Sequence, residues 1–162
     1  MTTSMFLWKR IIRQNYIMKN ISILLLITFM TFGLSQKQTA QTLNGYWSLI
    51  CYKNLLTGKQ DCLTVTDESQ TVSLEFKDNG KIGTMSGHTT TNDVTGDYFI
   101  SDNNKIRVKN FGGTKVGELP WVYDFWSTIS QSSSFKFNGD TLVILFDNDT
   151  KAMKFKQLKK KK

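Results

Sequence analysis

The sequence predicts an α+β fold that is mostly β: an antiparallel β-meander curled around a single α-helix. Three observations predict it. Apolar residues recur at every second position over much of the chain, the pattern of half-buried strands. Short clusters of Asn, Asp and Gly separate these stretches, and with a single proline in 162 residues the turns rest on residues that accept positive φ. One segment alone has the spacing of an amphipathic helix.

The elements follow in order. Val72, Leu74 and Phe76 share one face, with Thr71, Ser73, Glu75 and Lys77 on the other. Asp78-Asn79-Gly80-Lys81 then supplies an Asn-Gly turn, and Ile82 and Thr84 continue as the return strand. Tyr98 and Ile100 alternate before the turn at Ser101-Asp102-Asn103-Asn104, and Ile106 and Val108 alternate after it. Phe135 and Phe137 lead into Asn138-Gly139-Asp140. The run Leu142 to Phe146 is apolar on both faces, which predicts a doubly covered strand. Asp147 to Thr150 turns the chain into a last strand with Met153 and Phe155.

Leu119 to Ser130 breaks this rhythm. Val122, Phe125, Trp126 and Ile129 fall at helical spacing, Pro120 suits a first turn, and Glu118 is placed to favour the positive end of the helix dipole. The aromatic residues Trp47, Trp121, Tyr123 and Trp126 are expected mostly in the core. With Val122, Phe125 and Ile129 facing the sheet, Trp121 is the one expected to be visible from outside.

Residues 1–35 read as a secretory signal peptide. Ile21 to Leu34 is an uncharged run of 14 residues, shorter than the roughly 20 that span a bilayer, and Gly33 and Ser35 fit a cut after Ser35. Met18-Lys19-Asn20 makes a compact basic start, so residues 1–17 are read as an extension ahead of the true first residue; sequencing the unprocessed N-terminus tests this. An uncleaved anchor is the alternative. Residues 36–42 form a short linker, 43–158 the folded domain and 159–162 a basic tail. This places the protein in the periplasm or outside the cell.

The formal charge of +8 sits largely at the ends. Without residues 1–35 and Lys159 to Lys162, 13 basic groups face 13 acidic ones. A basic stripe across the folded body, which nucleic-acid binding needs, is therefore not expected. The tail gives at most a weak contact with an anionic membrane surface, and a monomer is expected. Cys51 and Cys62 are the two cysteines, and in an exported protein such a pair reads as a disulfide, with two buried free thiols as the alternative.

Chemistry has few candidates. His88 is the single histidine, close in sequence to Ser86, Asp93 and Asp97, so any hydrolytic or metal-binding role rests on this cluster. Zinc and copper sites want several imidazole or thiolate ligands, and the plainer reading is a polar hairpin loop. Gly112-Gly113 lacks the spacing of a phosphate-binding loop, and no cofactor is expected. Gly87 and Gly96 are read as sharp turns or bends, and Asn92 as a residue that caps backbone groups in the loop.

Several of these residues also form an ordered pattern. Leu43 to Leu49 has the form L-x-G-x-W-x-L, with Gly45 and Trp47. Ser86 and Gly87 are followed by Asn92, Gly96 and Tyr98, and Thr114-Lys115-Val116 follows a Gly-Gly pair. With the helix and Gly139-Asp140-Thr141-Leu142 after it, this order resembles the META domain family, which includes the bacterial heat-shock protein HslJ. The resemblance covers about Leu43 to Leu158 and implies a non-enzymatic binding or structural role in the cell envelope, connected with stress, toward an unidentified envelope protein or ligand. Family members often have cysteines where this chain has Thr91 and Glu118, so a covalent link between loop and helix is not expected. Two other readings stand beside it: a lipocalin-like carrier of a small apolar ligand, and a hydrolase using His88 and Asp97.

Overall fold

A computed structural model describes residues 41–63 and 71–159. The expected signal peptide, residues 36–40 of the linker and Lys160 to Lys162 of the tail lie outside the described residues. Nine strands are present among the described residues: β1 (Gly45–Asn54), β2 (Gln60–Cys62), β3 (Ser73–Asp78), β4 (Ile82–His88), β5 (Asp93–Ser101), β6 (Lys105–Gly113), β7 (Ser132–Asn138), β8 (Thr141–Phe146) and β9 (Lys151–Leu158). The helix α1 (Pro120–Thr128) joins β6 to β7.

Every pairing is antiparallel and, from β3 onward, sequential. β1 is long enough to pair along its whole length with β9, while Gly45 to Ser48 pair with β3 and Cys51 to Lys53 with β2. Eight strands thereby close into a barrel, and the short β2 is laid on the outer half of β1. Closure matters physically, because it pairs strand edges that another chain could otherwise extend. The weakest seam lies between β6 and β7, which meet at the single pair Lys105 and Ser134. That is where the meander leaves the sheet to form the helix.

The barrel interior is filled by alternate residues of its strands. Leu74, Phe76, Met85, Tyr98, Leu142, Ile144, Met153 and Phe155 are at most 2% exposed, and Val122, Phe125 and Ile129 from the helical segment belong to the same core. Burial of each large side chain is worth about 1.5–3 kcal/mol. In β8, Leu142, Val143, Ile144 and Phe146 are all buried, as the unbroken apolar run predicts.

α1 has only nine residues, too few to persist alone, so packing must hold it. It lies across one end of the barrel. Phe125 meets Phe111 of β6 edge-on at 5.6 Å, Thr128 contacts Met153 of β9, and the Tyr52 hydroxyl of β1 donates to the Trp121 carbonyl at 3.4 Å. Pro120 stands in the first turn as expected.

In β4, as in the expected return strand, Ile82 points outward and is 58% exposed while Gly83 and Met85 face the core, and the Tyr98 ring occupies the space a side chain at 83 would need. Four expectations need correction. Gly87 and Gly96 lie inside β4 and β5 and are not turns. A Cβ at Gly87 would sit 1.9 Å from the Ser73 carbonyl oxygen, so close approach of β3 and not positive φ requires glycine there. Gly96 falls at the register shift between β5 and β6, against Phe111. Trp121 is half-buried against Tyr52 at 5.0 Å, and the exposed aromatic residue of the helix is Tyr123, because Trp121 turns toward β1. A basic stripe does cross the folded body: Lys105, Arg107 and Lys109 alternate outward along β6, which balanced totals of charge conceal. Glu118, finally, does not cap the helix backbone: its carboxylate meets the β4–β5 loop and the Trp126 indole N–H at 3.4 Å, and the N-cap Leu119 has no side-chain cap.

Candidate functional site

At the end of the barrel that α1 covers, the β4–β5 hairpin loop meets the segment Thr114 to Glu118. Sequence sets up this meeting locally. The Thr89 N–H donates to the Asn92 carbonyl at 2.8 Å and Thr89 Oγ1 accepts the Asn92 N–H at 3.1 Å, which closes a tight loop and turns Asn92 inward, where it is 3% exposed. A buried amide must find partners, and Asn92 finds five. Its Nδ2 donates to the Val116 carbonyl at 2.9 Å, to Glu118 Oε1 at 2.6 Å and to Thr91 Oγ1 at 3.0 Å. Its Oδ1 accepts from the Val116 N–H at 2.7 Å and the Thr114 hydroxyl at 3.0 Å. Asn92 thus caps backbone groups, but those of a distant segment and not only of its own loop.

Glu118 completes the link. Its carboxylate also accepts from the Thr89 hydroxyl and, at 2.5 Å, from the Thr90 hydroxyl. Partial burial works against ionisation; it is outweighed by hydrogen bonds from Asn92, Thr89, Thr90 and Thr91, which hold the carboxyl down at about 2. A non-covalent staple therefore ties loop to helix entry, where the sequence led us to expect no covalent one. The clue lay in Thr89-Thr90-Thr91-Asn92 facing a lone acid 26 residues on, but only the fold brings them together.

A concavity of about 540 Å³ opens beside this staple, lined by Thr71, Ser73, His88, Thr89 to Asp93 and Thr114. His88 Nδ1 and Asp93 Oδ1, paired across β4 and β5, are in contact at its rim, with about three-quarters of each side chain exposed. Asp97 is not with them: it lies further along β5 and accepts from Asn110 at 3.0 Å. Ser86 points outward between Glu75 and Thr95. Among the described residues no hydroxyl hydrogen-bonds to His88, and no group of three or more His, Cys, Asp or Glu side chains is placed to hold a metal ion. The rim can offer hydroxyls and a histidine–carboxylate pair to a polar ligand.

The remaining motif residues organise the other end. Trp47 is 3% exposed, donates to the Leu43 carbonyl at 2.9 Å and packs 5.7 Å from Phe137. Gly45 starts β1 with φ of 143°, a backbone that side-chain-bearing residues rarely adopt. The Tyr98 hydroxyl donates to Asp78 Oδ2 at 2.8 Å, which also accepts the Leu43 N–H at 2.8 Å. Burial, and then this bond, push the Tyr98 hydroxyl far above its ordinary range, so it stays a donor. Cys51 and Cys62 are cross-strand neighbours joined in a disulfide.

Fold and site together define an eight-stranded antiparallel β-barrel capped by one helix, with a polar rim at the capped end. No family model matches the chain, and no curated protein matches its sequence. Two solved structures share the fold. One is the crystal structure of a DUF4847 family protein from Bacteroides vulgatus ATCC 8482, with a TM-score of 0.54 and 11% identity over 73% of this chain and 95% of that one. The other is the NMR structure of a protein from Burkholderia xenovorans, with a TM-score of 0.54 and 17% identity over 72% of this chain and 83% of that one. At such identities the likeness is one of fold.

Proposed function

We propose that the chain is an exported, non-enzymatic β-barrel module of the META type, which serves the cell envelope by binding or structural support through its surface and not by carrying cargo inside. The observation that carries this reading is the occupied interior. Val122, Phe125 and Ile129 are at most 1% exposed within the same core as Tyr98, Phe76 and Phe155. A lipocalin-like carrier needs an apolar cavity of a few hundred cubic ångströms where these side chains stand.

Two further features support it. The Cys51–Cys62 disulfide suits an oxidising compartment such as the periplasm or the exterior. Among the described residues no hydroxyl is bonded to the imidazole of the exposed His88–Asp93 pair, the contact that nucleophilic hydrolysis asks for. A thermal-shift screen with fatty acids and other small apolar ligands tests the proposal. No ligand should raise the melting temperature appreciably; a strong, saturable rise would replace this reading with the carrier.

A further inference from the structure

The outer face of β4, β5 and β6 carries a patch that neither the interior nor the rim explains. Ile82 and Phe99 are cross-strand partners, and both are outward-facing apolar side chains, 58% and 39% exposed. Phe99 in turn pairs with Arg107 of β6, which is flanked two residues away on either side by Lys105 and Lys109. Lys81 adjoins Ile82. All four cations are exposed, and among the described residues none is in a salt bridge. Lys109 is the cross-strand neighbour of Asp97, yet its ammonium lies 5.1 Å over the Phe99 ring while Asp97 is taken by Asn110.

We infer that this face docks on an anionic phospholipid bilayer, with Ile82 and Phe99 entering the headgroup boundary and Lys81, Lys105, Arg107 and Lys109 meeting lipid phosphates. Alternate residues of a strand lie about 7 Å apart, so β6 presents three cations in a row at the edge of two apolar side chains. This is the amphipathic arrangement of an interfacial anchor, made by a sheet face and not a helix. Unpaired cations near such a surface each contribute to adsorption, whereas the apolar pair alone is too small to hold the protein there. A single-stranded nucleic acid fits the patch less well. It would stack bases on an aromatic face, but Lys109 covers that of Phe99, and Ile82 offers no ring.

The test is partitioning of the full chain onto vesicles of phosphatidylcholine alone and of equal parts phosphatidylcholine and phosphatidylglycerol, so that any contribution of the leader is constant among variants. The ratio of anionic to neutral partitioning should fall about ten-fold or more in K105E/R107E/K109E. It should fall in the same direction, by a smaller factor, in K105Q/R107Q/K109Q, which guards against a folding defect from reversed charge. I82S/F99S should weaken binding to anionic vesicles several-fold. Replacing Lys159 to Lys162 by serine should leave most of the ratio in place. An unchanged ratio in both triple variants would overturn the inference, as would its loss in the tail variant or tighter binding to a single-stranded oligonucleotide than to anionic vesicles.

Discussion

The Asn92 side-chain amide and the Glu118 carboxylate lie 2.6 Å apart, joining a hairpin loop to the entry of a helix 26 residues later. Asn92 is buried and Glu118 half-exposed, so the pair has a fixed end and a solvated end. Removal of the fixed end strands several partners at once. Asn92→Ala leaves the Val116 N–H and carbonyl and the Thr114 hydroxyl without this partner. We expect a loss of about 2 kcal/mol, in the range for breaking buried hydrogen bonds, measured by urea unfolding.

The same carboxylate makes stability depend on acid. A carboxyl held at about 2, below its ordinary 4.5, favours the folded state while ionised in both states. Its contribution is therefore complete above pH 4.5 and is lost as pH falls toward 2. Wild type and Glu118→Gln should differ in stability at neutral pH and converge across that interval. Melting temperatures of both chains from pH 7 to pH 2 check this, and parallel curves would show that the ionised carboxylate contributes nothing.

Phe125 carries the contact between helix and barrel. It is fully buried and meets Phe111 edge-on at 5.6 Å. Phe125→Ala should cost about 3–5 kcal/mol, the range for deleting a core phenyl ring. Tyr123→Ala, on the exposed side of the same helix, should change stability by less than about 0.5 kcal/mol. Denaturant midpoints of the two variants separate the faces of α1.

The disulfide closes a short loop, with Cys51 and Cys62 at a sequence separation of 11. In the chain-entropy model a loop of this size stabilises by about 3 kcal/mol. Mass spectrometry of the oxidised chain should show a mass two hydrogen atoms below that of the reduced chain, and reduction should lower the melting temperature without unfolding the closed barrel, since β2 lies outside it.

The hairpins from β3 to β9 were legible in the sequence because their alternation is clean and their turns carry Asn, Asp and Gly. β1 was not. Trp47, Ser48 and Leu49 are buried in succession and the register shifts between Leu49 and Cys51, so no period of two survives there. Barrel closure, which depends on β1 reaching β9, was invisible for the same reason. At the rim, Asn92 stood out as a capping residue, but its partners lie 22 to 26 residues away and no local pattern pairs them. Counting charge by totals hid the alternation Lys105, Arg107, Lys109, although Ile106 and Val108 already marked the strand that carries it.

The position of Phe125 inside the end of the barrel tests the account most directly. Solution NMR with selectively labelled phenylalanine should show cross-peaks between the Phe125 and Phe111 rings, and they should persist with excess oleate present. Missing cross-peaks, or their loss as oleate binds in saturable fashion, would mean that the helix opens the barrel to cargo.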